Sequence, residues 1–143
     1  MITFGPVPSR RLGRSLGINN IPSSKICSYS CVYCQVGATK THTNQRCACY
    51  QPEDICHAVE QHLEKLQPSE MPDYLTFVAN GEPTLDINLA ASISKLKPFG
   101  IPIAVISNAS LLSNPNVRND LVLADWVSVK VDTVVEELWR KQN

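Results

Sequence analysis

The sequence predicts an α/β fold of parallel strand–helix units, on three observations. Short runs rich in strand formers recur at residues 74–79, 101–106 and 126–131. Between them lie segments whose apolar residues return at helical spacing. Each strand-like run is followed at once by polar residues: Gly81-Glu82-Pro83, then Ser107-Asn108, then Asp132. Alternating strands and helices of this kind fold as βαβ units with right-handed crossovers. Ligands in such folds bind at the carboxyl ends of the strands, which is where these polar residues fall.

The elements follow in order. Residues 1–24 are rich in Pro and Gly, and Leu16-Gly17-Ile18 reads as the first, short strand. Arg10, Arg11 and Arg14 form a small basic cluster before it, suited either to a phosphate or carboxylate or to a solvated surface. Residues 25–50 have little periodicity. A loop of that length needs a reason, and wrapping an inorganic centre supplies one. Residues 52–66 predict the first helix. Pro52 suits its first position, Glu53 and Asp54 suit the positive end of its dipole, and Ile55, Ala58, Val59, Leu63 and Leu66 give it one apolar face.

The run 74–79 is apolar enough for a buried parallel strand. Residues 88–97 predict a second helix with Leu89, Ile93 and Leu96 inward, and 101–106 the next strand. Asn114-Pro115 opens a third helix with Asn114 as cap. Residues 126–131 make a fourth strand, and the last residues begin another helix. No repeat, linker or low-complexity stretch interrupts the chain, so residues 1–143 read as one domain.

The composition is that of an ordinary soluble globular protein: 43% hydrophobic and 18% charged over 143 residues. Such a length buries about 70% of its unfolded surface. The formal net charge of 0 argues against a broadly basic nucleic-acid binder. No apolar run approaches the roughly 20 residues of a membrane span. The first residues lack a signal-peptide pattern, and the expected location is the cytoplasm, with no membrane partner.

Six cysteines stand at 27, 31, 34, 47, 49 and 56. With no signal peptide and enough chain for a core, reduced thiols and a metal centre are the expected state rather than disulfides. Cys27, Cys31 and Cys34 have the spacing C-x3-C-x2-C, which brings three thiolates round one inorganic centre. A structural zinc site is normally closed by four ligands. Three thiolates without an obvious fourth suit an iron–sulfur cluster with one open position. A small zinc module drawing on some of the six thiols is the competing reading. Cys47 and Cys49 could supply a fourth ligand or a second metal site, but with no further partners in view they are read as spare thiols.

C-x3-C-x2-C with an aromatic residue, Tyr33, before the last cysteine resembles the signature of the radical S-adenosylmethionine (radical SAM) enzymes. The stretch Gly5-Pro6-Val7-Pro8-Ser9-Arg10-Arg11-Leu12-Gly13-Arg14-Ser15-Leu16-Gly17-Ile18-Asn19 resembles the lead-in of one branch, small iron–sulfur oxidoreductases similar to the wyosine-type tRNA-modifying enzymes. The resemblance runs from about Phe4 to Thr133. It implies that Cys27, Cys31 and Cys34 hold three irons of a 4Fe-4S cluster, and that the fourth iron takes the amino and carboxylate groups of S-adenosyl-L-methionine. Reduction would then release a 5′-deoxyadenosyl radical that abstracts hydrogen from a substrate, with tRNA the class the branch suggests. A flavodoxin or ferredoxin is the implied electron donor.

Tyr33 matches the position that lies near the adenine. Gly81-Glu82-Pro83 matches a motif that contacts the amino group of the cofactor. A carboxylate or carbonyl suits such a donor, and glycine permits close approach. Ser107 and Asn108 match a strand end that contacts ribose or carboxylate, or else they cap the following turn. Asp132 occupies a similar strand end.

The same resemblance implies a partial (β/α) barrel of the radical SAM type, with about four of six strand–helix units present and the chain ending inside a helix. The alternative function is therefore a truncated, non-catalytic iron–sulfur-binding fragment.

Overall fold

The computed structural model of the protein describes residues 1–22 and 24–143. Its main sheet has five strands in the order β1-β2-β5-β6-β7. β1 (Thr3–Ser9) and β2 (Gly13–Ile18) form an antiparallel hairpin; β5 (Tyr74–Phe77), β6 (Ile103–Ser107) and β7 (Trp126–Val129) each add in parallel to the strand before. Two residue pairs, β3 (Ile26–Cys27) and β4 (Thr41–His42), make a small separate parallel ladder inside the long loop.

The α/β class and the parallel βαβ connections are as expected. The first strand is not. Leu16-Gly17-Ile18 belongs to the second strand, and β1 precedes it. Pro6 and Pro8 hid β1, because proline cannot donate to a ladder and reads as a strand breaker. β1 tolerates them by lying at the edge of the sheet, with a register irregularity between Phe4 and Val7.

The helices follow the strands in turn: α1 (Pro52–Leu63), α2 (Leu89–Leu96), α3 (Pro115–Val122) and α4 (Glu136–Gln142). Asn114 caps α3, its side chain accepting from the Asn116 amide at 2.9 Å. α1 ends three residues before the expected 66, where its last turn passes into a looser one.

The sheet is two-sided. Leu16, Ile18, Leu75, Phe77, Ile103 and Val105 project from one face, and α1, α2 and α3 cover it with Ile55, Val59, Leu89, Ile93, Leu96, Val117 and Leu121. Strand alternation places Ser15, Thr76 and Ala104 on the other face. There the Ser15 and Thr76 hydroxyls pair at 2.6 Å. α4 stands apart. It buries no residue and carries the surface pairs Glu136–Arg140 and Glu137–Lys141. Among the described residues no helix is long and apolar enough to cross a membrane.

Candidate cofactor site

The strand ends meet the cysteine loop round a cavity of about 160 Å3. Its wall holds Cys27, Cys31 and Cys34 from the loop, Gly81 and Glu82 after β5, and Ser107 and Asn108 at the end of β6. Seven of the ten residues singled out from the sequence thus share one wall. Lys25 and Lys130 complete its polar part, and Val36, Val78, Ala79 and Ile106 its apolar part.

Gly81 explains how the loop reaches the sheet. It pairs with Ile26 in an isolated parallel bridge, and the Glu82 amide donates to the Ile26 carbonyl at 3.2 Å. The Gly81 φ of +153° is one that other residues rarely adopt, and a Cβ there would overlap the Ile26 carbonyl oxygen. The glycine is the contact point through which β3, and with it Cys27, is seated beside β5.

Of the two groups the Gly81-Glu82-Pro83 turn could offer, carboxylate or carbonyl, the Glu82 carboxylate is engaged within the protein. It is fully buried, and its charge is taken up by the protein. Oε1 accepts from the Thr84 amide (3.2 Å), the Thr84 hydroxyl (2.6 Å) and the Ser107 hydroxyl (2.7 Å); Oε2 accepts from the Asn108 amide (2.7 Å). The carboxylate ties the β5 turn to the β6 turn. A buried carboxylate needs such donors, because isolating its charge costs far more than any one bond returns. Glu82→Ala would orphan four donors, two of them on the fully buried Thr84. It is expected to lower stability by about 3 kcal/mol, a few times the cost of one unmade buried bond. Urea unfolding measures this, and a loss under about 1 kcal/mol would refute the bridging role.

Ser107 and Asn108 both cap and reach out. Ser107 Oγ accepts from the Ala109 amide at 3.0 Å, and Asn108 Oδ1 from the Ser110 amide at 3.0 Å. Asn108 Nδ2 donates to Ser28 Oγ at 2.9 Å and faces Cys27 Sγ at 3.6 Å. Pro83 lies outside the cavity wall, buried as the first residue of a 3-10 turn spanning Pro83–Leu85.

Tyr33 and Asp132 lie beside the cavity, joined through Lys130. The Tyr33 hydroxyl donates to Asp132 Oδ2 at 2.5 Å. Lys130 Nζ sits 3.1 Å from the same carboxylate, 3.3 Å from Cys31 Sγ and 4.3 Å from the centre of the Tyr33 ring. Burial and the Asp132 carboxylate push the Tyr33 hydroxyl up to about 12. The Asp132 carboxyl is held low by the Tyr33 hydroxyl and then by Lys130. Burial works against the Lys130 charge, but its bonds to Tyr33, Asp132 and Cys31 outweigh that and raise its pKa.

The two lysines were missed by sequence reasoning. Lys25 is almost fully buried and donates to the Gly37 carbonyl at 2.6 Å. Burial disfavours the Cys34 thiolate, but Lys25 and the Val36 and Gly37 amides overcome it and lower the thiol pKa. At Cys27 burial dominates and pushes the thiol up. Each sulfur thus has its own nitrogen donor: Asn108 at Cys27, Lys130 at Cys31 and Lys25 at Cys34. The available signal was a lysine two residues before the first cysteine and another where an apolar strand ends.

The three thiols line the same cavity. Among the described residues, no three His, Cys, Asp or Glu side chains are grouped to hold a single metal ion.

A second cavity of about 330 Å3 shares Val36, Val78, Ala79 and Ile106 with the first and lies over Ser15 and Thr76 on the sheet face opposite the helices. From the far side, α4 braces the cysteine loop. The Ser30 and Val32 amides donate to the Asn143 and Gln142 carbonyls at 3.0 Å each, and Trp139 packs edge-on against Tyr29.

The chain matches no protein-family model. It is 58% identical over 142 residues to a UPF0026 protein of Methanocaldococcus jannaschii, covering 99% of this chain and 44% of that protein. More distantly, it is 28% identical over 118 residues to an S-adenosylmethionine-dependent nucleotide dehydratase of Selenomonas ruminantium, covering 80% of this chain and 39% of the dehydratase. In fold it is similar to TYW1, solved with a lysine-pyruvate adduct bound, at a TM-score of 0.64 and 18% identity over 92% of this chain and 47% of that one. The chain spans less than half the length of each of these three proteins.

Proposed function

We propose that the chain is the cluster- and cofactor-binding half of a radical SAM enzyme, with a 4Fe-4S centre on Cys27, Cys31 and Cys34 and S-adenosyl-L-methionine beside it. The observation that carries this reading is the three thiols round one cavity, each with its own nitrogen donor, at the carboxyl ends of parallel strands. The distant likeness to S-adenosylmethionine-dependent dehydratases supports the cofactor, and the fold likeness to TYW1 supports a partial (β/α) barrel over residues 1–143.

When bound and reduced, such a centre supplies the electron that opens S-adenosylmethionine to a hydrogen-abstracting radical. The residues of this chain prepare the place. Lys25 and Lys130 offset the negative charge of the thiolates, and N–H donors of this kind raise the potential of a thiolate-bound centre. Glu82 fixes the two turns against each other and leaves their backbone for the cofactor. Val36, Val78, Ala79 and Ile106 form the apolar lip between the two cavities and keep water from the reacting atoms. The second cavity is the natural entrance for a substrate. Its lining has no charged side chain, so a neutral part of the substrate belongs there, and a tRNA nucleoside is compatible with it. A flavodoxin or ferredoxin is the proposed donor of the electron, in the cytoplasm.

The test is anaerobic reconstitution with iron and sulfide, reduction, addition of S-adenosylmethionine, and an assay for 5′-deoxyadenosine. Broad visible absorption with product is the expected result. Absorption without product supports the second reading, an iron–sulfur-binding part that needs the rest of a longer protein to act. Colourless, zinc-loaded protein would overturn both.

A further inference from the structure

We infer that Cys47 and Cys49 form a closing dithiol, a site of reversible oxidation outside the cofactor cavity. The two sulfurs stand 3.6 Å apart and lie on no part of the wall that holds the other three cysteines. Bond formation needs that separation to close to about 2 Å. Cys47 is exposed and Cys49 half-buried behind it. A solvent-borne disulfide would therefore meet Cys47 first.

The chemistry balances without a resident oxidant. The Cys47 thiolate attacks a small-molecule disulfide such as oxidised glutathione, forming a mixed disulfide and releasing one reduced thiol. Cys49, whose thiol is pushed up to about 12 by burial and the Cys47 thiol, then attacks the Cys47 sulfur, and its proton leaves with the second small thiol. The protein loses two hydrogens, and the small disulfide gains them.

The pair is placed where closure would be felt. The Cys47 amide donates to the Leu85 carbonyl at 2.9 Å, and its carbonyl accepts from the Ile87 amide at 3.1 Å. The Cys49 amide reaches Asp86 Oδ1 at 3.4 Å. Next to the pair, Arg46 donates to the Thr84 and Asp86 carbonyls at 2.8 Å each and is paired with Asp120. The strap that carries the thiols is thus bonded to the residues that directly follow Gly81-Glu82-Pro83. Oxidation would stiffen a support of the cofactor turn without touching a cofactor ligand.

The test is to equilibrate the purified protein in anaerobic glutathione buffers of rising oxidising strength, block free thiols and map the peptides. The expected result is a peptide in which Cys47 and Cys49 together escape alkylation and have lost the mass of two hydrogens, while Cys56 stays alkylated. Amide exchange at Cys47 and Ile87 should slow in the oxidised form. Cys49→Ser should instead retain glutathione on Cys47. The proposal fails if both thiols are still alkylated in the most oxidising buffer, if Cys47 pairs with any other cysteine, or if Cys49→Ser carries no more glutathione than the parent.

Discussion

Cys31→Ala is expected to fold normally and to hold no complete iron–sulfur centre. The Cys31 thiol is only partly buried and donates to Asn143 Oδ1 at 3.1 Å, with Lys130 on its other side. Removing it leaves the sheet, the helices and the Glu82 bridge untouched, so the stability change should stay within about 1 kcal/mol. The effect on the centre should be of another order. Two thiolates with the wrong spacing cannot replace three, and Lys130 would keep Asp132 but lose its sulfur partner. After anaerobic reconstitution the variant should lose the visible absorption of the parent and form no detectable 5′-deoxyadenosine. Cys56→Ala is the matched control. Its thiol lies on α1 and reaches only the Lys95 carbonyl, at 3.7 Å, and that variant should behave as the parent. Full absorption in Cys31→Ala would remove this cysteine from the proposed ligands.

Gly81→Ala is expected to damage both the fold and the site. A Cβ at this position meets backbone rather than a flexible side chain, so nothing can swing aside. Either the β5 turn gives way, and with it the Glu82 carboxylate and its four donors, or β3 leaves and takes Cys27 with it. Overpacking and left-handed strain each cost about 1–3 kcal/mol, and together they predict a loss of about 4 kcal/mol in urea unfolding. Iron incorporation should fall in whatever protein remains folded. An alanine variant of parental stability and iron content would show that the contact of Gly81 with Ile26 is dispensable.

The fold was legible wherever a signal is local. Parallel strands buried by helices on one face had to be apolar, and the helices opposite them had to repeat at 3.6 residues, so residues 74–79 and 88–97 declared themselves. β1 stayed hidden because its strand character comes from a partner, β2, and from an edge position that spares its prolines, neither of which a window of sequence contains. The site was legible to the extent that chemistry fixes residue type. Cysteine spacing and strand-end polar residues pointed to one rim, and seven of those residues share one cavity wall there. The spacing of Gly81-Glu82-Pro83 did not say that the carboxylate turns inward, because that depends on Thr84, Ser107 and Asn108 converging from two turns. The lysines escaped for the same reason. Lys25 is buried only because the loop closes over it, and Lys130 matters only because Tyr33, nearly a hundred residues away, is brought under it.

The strand order β1-β2-β5-β6-β7 never places a later strand between two earlier ones. A chain emerging from the ribosome would thus find, at every stage, its growing edge already formed and facing outward. The hairpin closes first from neighbouring residues, and β5 and β6 are each followed closely by a helix that covers them. Sheets that need a late strand wedged into their middle must wait with an open seam, and they aggregate while they wait. Here assembly can keep pace with synthesis, and the edge left waiting at any moment is the one the next residues will fill.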